Sequence, residues 1–204
     1  MFRDPHTFAC LRFRALPQLV AERAAQGIAA VRAWVAGCST GEEAYSLAMC
    51  LIEAAEKLPS PLEIVVLASD VDASALALAA RGEISSAVAA SVPEPLAQRW
   101  LIRDGQGFRV AEELRRRVVF VQHDILDPSL RVPSQAVFAA FDLVSCRNLL
   151  IYLDDQAQAE VTDRLVGACE PGSILVLGGS ESMTESVEHG FERLGARTSI
   201  YRRR

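Results

Sequence analysis

Paired cysteines are missing from this 204-residue sequence. Its five cysteines, Cys10, Cys38, Cys50, Cys146 and Cys169, are odd in number and scattered, with no CxxC pair and no histidine at metal-ligand spacing. This excludes a disulfide framework and a zinc site, and no metal is expected. Several thiols lie in apolar runs, where they act as small core residues, and a reducing, cytoplasmic compartment is expected. Histidine is scarce too, with His6 and His189 in polar surroundings and His123 reading as a surface residue, so no Ser–His–Asp set can be assembled. Net positive charge is lacking: the formal net charge is −5, which argues against a nucleic-acid binder. Arg115-Arg116-Arg117 and Arg202-Arg203-Arg204 read as solvated ends of elements. No apolar run is long enough to span a bilayer, and the first thirty residues carry several arginines and no unbroken apolar stretch, so neither membrane insertion nor a secretory signal is expected. Repeats and low-complexity linkers are absent.

Half of the residues are hydrophobic, enough for one sizeable core at this length. Residues 8–25 place apolar side chains at helical spacing and predict one amphipathic helix. An apolar run at 31–36 stops at Gly37, as a buried strand does, and 42–57 returns to helical spacing. A second strand is predicted over 63–68. A helix over 73–81 follows, with Gly82 as its C-cap. The stretch 84–117 breaks the rhythm with Pro93, Pro95 and the turn-like Asp104-Gly105-Gln106-Gly107. It predicts a helical segment and a small hairpin set into the main domain. Strands at 118–122 and 141–145, a helix over 156–169 and a strand over 173–177 come next, and short segments at 191–194 and 199–202 end the chain. Strands alternating with helices imply a mostly parallel sheet covered on both faces, with ligands at the carboxyl ends of its strands.

Those ends carry polar residues. After the first strand comes Gly37-Cys38-Ser39-Thr40-Gly41-Glu42-Glu43. Its glycines allow a tight turn and close approach of a ligand. The spacing is not GxGxxG, and two acids at a helix start would repel a pyrophosphate. A cationic ligand, such as the sulfonium and ammonium of S-adenosylmethionine, would be attracted. Glu42 fits a capping box with Ser39, which leaves Glu43 as the ligand-binding acid. Asp70, after the second strand, suits both hydroxyls of an adenosine ribose, a task common to NAD and S-adenosylmethionine sites; Asp72 is the better N-cap for the following helix. After the third strand come Asp124, placed to hold an adenine amino group, and Ile125, placed to pack on the ring. Cys146-Arg147-Asn148-Leu149-Leu150-Ile151-Tyr152 follows the fourth.

Phe2-Arg3-Asp4-Pro5-His6-Thr7-Phe8, Ala36-Gly37-Cys38-Ser39-Thr40-Gly41-Glu42-Glu43-Ala44-Tyr45-Ser46, Ser69-Asp70-Val71-Asp72 and the Cys146-to-Tyr152 string together resemble the chemotaxis receptor methyltransferases of the CheR type. Glu170-Pro171-Gly172 and Gly178-Gly179-Ser180-Glu181-Ser182 are weaker echoes. The resemblance implies an α/β, class I (Rossmann-like) S-adenosylmethionine-dependent methyltransferase fold, a mostly parallel sheet with a small antiparallel inserted subdomain. The expected division is an N-terminal helical segment at 1–30 and a methyltransferase domain at 31–204, with the insertion at about 84–117. The implied activity is protein-glutamate O-methylation of chemoreceptors or related signalling proteins, with S-adenosylmethionine as cofactor and S-adenosylhomocysteine as product. By motif position, the resemblance implies that Arg3, Glu43, Asp70, Asp124, Ile125, Arg147 and Asn148 contact the cofactor, with Gly37 in the same loop, and that Arg3 and Tyr152 lie beside the transferring methyl. The family usually carries a helical N-terminal domain before the Phe-Arg motif, which is expected to be absent here. It also usually has Asn at Asp124, Pro at Ala44 and His at Gly179, departures that bear on how tightly the cofactor is held. Two other readings stand beside the enzyme. One is a non-catalytic module that binds the cofactor as a sensor or scaffold; the other is a nicotinamide oxidoreductase, disfavoured by the acids at the loop.

Overall fold

The computed structural model describes the chain except residues 61, 137–139, 182, 184–188 and 196–197. The chain opens with α1 (Pro5–Cys10), one π-helical turn (Leu11–Ala15) and α2 (Leu16–Ala25), where a single helix over 8–25 was expected. The cause is Pro17, which has no N–H to donate to the carbonyl four residues earlier, so the turn before it loses regular α geometry. Strand β1 (Ala30–Ala36) leads into α3 (Glu42–Ala55), β2 (Glu63–Asp70) and α4 (Ala73–Arg81). The limits of α4 are set locally. The Asp72 carboxylate accepts the Ser74 and Ala75 N–H groups at 2.8 and 3.2 Å, and Gly82 closes the helix at φ 67°.

The irregular stretch holds β3 (Glu83–Ile84), α5 (Ser86–Ala89), α6 (Glu94–Trp100), β4 (Leu101–Asp104), β5 (Gly107–Val110) and α7 (Glu112–Arg115). The expected hairpin is present, and β3 adds to it as a third antiparallel strand in the order β3-β5-β4. Leu96, Trp100, Val110 and Leu114 of this stretch join the same apolar cluster as α2 and α3. Arg99 further ties it to the end of α3 through Glu56 at 2.6 Å.

The main sheet resumes with β6 (Val118–Gln122) and β7 (Phe141–Cys146). A 3-10 turn (Leu150–Tyr152), α8 (Asp155–Gly167), β8 (Cys169–Leu177), β9 (Phe191–Arg193) and β10 (Ile200–Arg203) complete the chain. Its order is β6-β2-β1-β7-β8-β10-β9, parallel except that β10 runs antiparallel between β8 and β9. This is a class I methyltransferase sheet. Strand β8 begins four residues before the expected start and takes over the end of the expected helix. Pro171-Gly172, with Gly172 at φ 77°, reads as loop punctuation in sequence but forms a bulge inside the strand. The C-terminal arginines also depart from the solvated-end reading. Arg202 pairs with Glu22, and Arg203 bonds the Val166 and Cys169 carbonyls.

Alternation along β1 splits the core between the two sheet faces. Val31, Ala33 and Val35 pack towards α2 and α3, whereas Trp34 and Ala36 pack with Val161 and Leu165 of α8. Trp34 Nε1 satisfies its donor on Ser69 Oγ at 2.9 Å. Chain order runs outward from β1 to β2 and β6 on one side and from β7 to β8 on the other. The switch point therefore lies where β1 and β7 end side by side, with Ala36 paired to Cys146.

Candidate active site

A cleft of about 440 Å³ opens at that switch point. Its walls include Phe2, Arg3, Gly37, Ser39, Glu43 and Arg147, with Asn148 and Tyr152 beside them. Six of the nine residues singled out from sequence thus meet around one space: Arg3, Gly37, Glu43, Arg147, Asn148 and Tyr152. Asp70 stands one hydrogen bond away, its Oδ2 accepting the Ser39 N–H at 2.7 Å and its Oδ1 the Asp72 N–H at 3.0 Å. Asp124 and Ile125 do not line this cleft. They follow β6 on the next strand end, joined to it by the His123 N–H donating to the Asp70 carbonyl at 2.9 Å. Asp124 is exposed and caps its own turn through the Leu126 N–H, while Ile125 packs with Trp34 and Leu67.

The loop after β1 is built differently from the expected capping box. Gly41, at φ 85°, is the N-cap of α3, and Ser39 makes no cap bond. A Cβ on Gly41 would come within 2.9 Å of the Ala79 Cβ and the Phe120 ring, so this turn needs glycine for both its backbone and its closeness to neighbours. Glu42 accepts the Thr40 hydroxyl at 2.7 Å and also faces the cleft.

Glu43 and Arg147 form the charged centre. The Glu43 carboxylate accepts the Ser145 hydroxyl at 2.6 Å and Arg147 Nη1 at 3.0 Å. Burial pushes the Glu43 carboxyl above its ordinary range, with Arg147 and Ser145 pulling the other way. The Arg147 side chain is only 3% exposed. Its Nη2 donates to the Arg3 carbonyl at 3.1 Å and lies 3.8 Å from Asp4 Oδ2, and its guanidinium sits 5.5 Å from the centre of the Phe8 ring. One arginine therefore joins the N-terminal turn, the α3 start and the end of β7. The N-terminal turn has a second tie, the Phe2 N–H donating to Ser46 Oγ at 3.1 Å. Arg3 and Tyr152 stand at the mouth, Tyr152 79% exposed on its 3-10 turn.

Four non-glycine residues among those described have positive φ: Phe2 at 48°, Asp4 at 67°, Ser39 at 47° and Asn148 at 59°. Three line the cleft, and Asp4 lies against Arg147 in its wall. Such conformations cost roughly 1–3 kcal/mol each and persist where surrounding contacts over-determine them, which is characteristic of functional sites.

Several contributors were not evident from sequence. Ser145 and Ser46 contribute through hydroxyl contacts with Glu43 and Phe2, residues far from them in the chain. His123 is buried against the Trp34 ring, with centroids 5.9 Å apart, instead of lying on the surface. Glu181, in one of the weaker motif echoes, is buried and bonded to the Arg147–Tyr152 segment; Ser182 of the same echo lies outside the described residues. Among the described residues no cluster of His, Cys, Asp and Glu is arranged to hold a metal ion, and no helix is long and apolar enough to cross a membrane.

Residues 1–200 match the family described as "CheR methyltransferase, SAM binding domain". The chain belongs to the CheR methyltransferase family. The cofactor of this CheR domain is S-adenosylmethionine. It is 33% identical over 192 residues to chemotaxis protein methyltransferase 1 of Pseudomonas aeruginosa, covering 92% of this chain and 67% of that protein. It is 31% identical to the chemotaxis protein methyltransferase of Vibrio parahaemolyticus, covering 90% and 64%. A 104.1 kDa Rhodobacter capsulatus protein is 37% identical over 200 residues, a match that covers 98% of this chain but 20% of that protein. The fold is similar to that of an rRNA methyltransferase from Streptomyces viridochromogenes, with a TM-score of 0.51 at 17% identity over 100% of this chain and 94% of that one.

The cleft's donor set suits the cofactor. Glu43 and the nearby Asp70 supply anions for a cationic, ribose-bearing ligand. Arg147 Nε, buried and without a hydrogen-bond partner among the described residues, leaves a donor towards which a carboxylate can turn. The volume lies in the ordinary range for small-molecule sites, about 300–1,000 Å³.

Proposed function

We propose that the domain transfers a methyl group from S-adenosylmethionine to glutamate side chains of chemoreceptors or related signalling proteins. The observation that carries this reading is the switch-point cleft, in which the Glu43–Arg147 pair is buried while Arg3 and Tyr152 stand exposed at the mouth. When bound, the cofactor supplies an electrophilic methyl on a sulfonium.

The rest falls to this chain's own residues. A glutamate carboxylate is already ionised at neutral pH, its ordinary pKa being about 4.3, so no general base has to act on it. The residues need to align the carboxylate oxygen and keep water out. Arg3 attracts the incoming carboxylate from the mouth, and the Tyr152 hydroxyl donates to the carboxylate oxygen that is not reacting. Glu43 holds the cofactor's ammonium, Asp70 its ribose hydroxyls, and Asp124 with Ile125 its adenine. Gly37 and Asn148 bring backbone close to it.

The test is titration of the purified chain with S-adenosylhomocysteine and with NAD, followed by a methyl-transfer assay on receptor cytoplasmic domains. Arg3→Ala and Tyr152→Phe are expected to cut turnover by about 10²-fold while leaving S-adenosylhomocysteine affinity within about threefold, the pattern of contacts made mainly in the transition state. Equal losses of binding and turnover would remove both residues from the transfer step. Binding of S-adenosylhomocysteine without transfer to any carboxylate would support the sensor or scaffold module, and binding of NAD alone would overturn the cofactor assignment.

A further inference from the structure

We propose that Glu181 is a positioning residue: its buried carboxylate sets the backbone course of Asn148 to Tyr152 and so shapes the mouth of the cleft. The proposal rests on the methyl-transfer reading for its consequence, though not for its geometry.

Glu181 is 4% exposed and pairs with no cation among the ion pairs of the described residues. Its carboxylate is instead satisfied by backbone. Oε2 accepts the Gly178 N–H at 2.6 Å and the Asn148 N–H at 3.0 Å, and Oε1 accepts the Leu150 N–H at 2.9 Å. A buried carboxylate is tolerated at such a point only when its oxygens are this fully engaged. The donors come from two adjacent strand ends, β8 at Gly178 and β7 at Asn148 and Leu150.

The geometry leaves little freedom on either side. Glu181 is anchored by its own N–H to the Gly178 carbonyl at 3.0 Å, and its carbonyl accepts the Ser199 hydroxyl at 3.3 Å. A Cβ on Gly178 would collide with the Glu181 carboxylate and approach the Asn148 nitrogen to 3.1 Å, so only glycine lets the two strand ends come this close. On the far side, Asn148 is held at φ 59° and Leu150 begins the 3-10 turn that presents Tyr152. The segment has two polar fasteners: Arg147 holds it to α3 from one face, and Glu181 holds it to β8 from the other.

Glutamine at 181 is nearly isosteric but has one acceptor oxygen. Its amide N–H groups cannot accept, so at least one of the three backbone donors is left unsatisfied. Gly178→Ala keeps the carboxylate and its charge but crowds it, which gives a second, independent perturbation should Glu181→Gln not fold.

The full chain and both variants are compared by amide hydrogen exchange, S-adenosylhomocysteine titration and methyl transfer. In the variants the Asn148 and Leu150 amides are expected to exchange at least about tenfold faster while those of α3 and α8 keep their protection. S-adenosylhomocysteine affinity is expected to fall about tenfold. kcat is expected to fall about 10²-fold, and adding Tyr152→Phe to Glu181→Gln should lower it no further, because both changes remove the same contact. Unchanged affinity and kcat, protection lost evenly across the chain, or turnover losses that multiply would each overturn the proposal. A wild-type chain that bound no S-adenosylhomocysteine would refute the cofactor reading instead. The exchange measurement would then decide alone whether Glu181 holds Asn148 and Leu150.

Discussion

Replacing Arg147 with methionine deletes one charge from a pair that is almost out of water. The side chain it removes is 3% exposed, and its partner Glu43 is 20% exposed. Leaving a buried carboxylate without its cation costs about 3–5 kcal/mol. Here the cost should fall at the lower end, about 3 kcal/mol, because Glu43 keeps the Ser145 hydroxyl and some contact with solvent. For a domain of this size each kcal/mol moves Tm by roughly 2–4 °C, so a drop of about 6–12 °C is expected at pH 7. The pH dependence follows from Glu43, whose carboxyl burial already raises. Without Arg147 it rises further, so the folded state takes up a proton above the unfolded value of about 4.3. The folded state then binds more protons than the unfolded one, and stability is lost as pH rises through that window. The gap between wild type and Arg147→Met should therefore narrow as pH falls from 7 to 5. Adding Glu43→Gln should recover most of the loss at pH 7, since a neutral amide needs no cation. Urea unfolding of the two single variants and the double variant supplies the measurement. A loss below about 1 kcal/mol, or a double variant less stable than Arg147→Met alone, would refute the reasoning.

Two further outcomes can be checked by thermal melts alone. Gly41→Ala forces a side chain into φ 85° and against Ala79 and Phe120, and should cost about 3 kcal/mol; a Tm within 2 °C of wild type, against the roughly 6–12 °C this implies, would show that the loop relaxes freely. Burial holds the His123 imidazole below its ordinary value, so the folded state resists protonating it. The unfolded state binds the proton first, and stability is lost as pH falls below about 6.5. His123→Gln should flatten the fall in Tm between pH 7.5 and 5.5, and an unchanged slope would assign that fall to other groups.

Features fixed by neighbours in the chain were the ones legible in sequence. Asp72 and Gly82 delimit α4 from either side, and the apolar run before Gly37 marks β1 with its ligand-side end. The polar strand ends pointed to the cleft because an α/β sheet brings successive strand termini to one edge. Errors arose where one residue's backbone chemistry outweighed periodicity, as with Pro17 in the first helix and Pro171-Gly172 inside β8. Glu181 and the burial of His123 were illegible for another reason. Their meaning depends on partners 31 residues away for Glu181 and, for His123, on the ring of Trp34 across the sheet. No local pattern encodes such contacts.

The fastening by Arg147 has a consequence for the order in which the protein is made. During synthesis the Arg3 carbonyl leaves the ribosome long before its donor, which lies 144 residues later. Glu43 waits 104 residues for the same guanidinium, and the Asn148 amide waits 33 more for Glu181. The early walls can fold locally, but the cleft closes only after the strands that complete the sheet have emerged. A nascent or truncated chain ending before residue 147 would carry the glycine loop without the arginine that ties it to the N-terminal turn. Cofactor retention would thus report that the strands carrying Arg147 and Glu181 have been made and have joined the sheet.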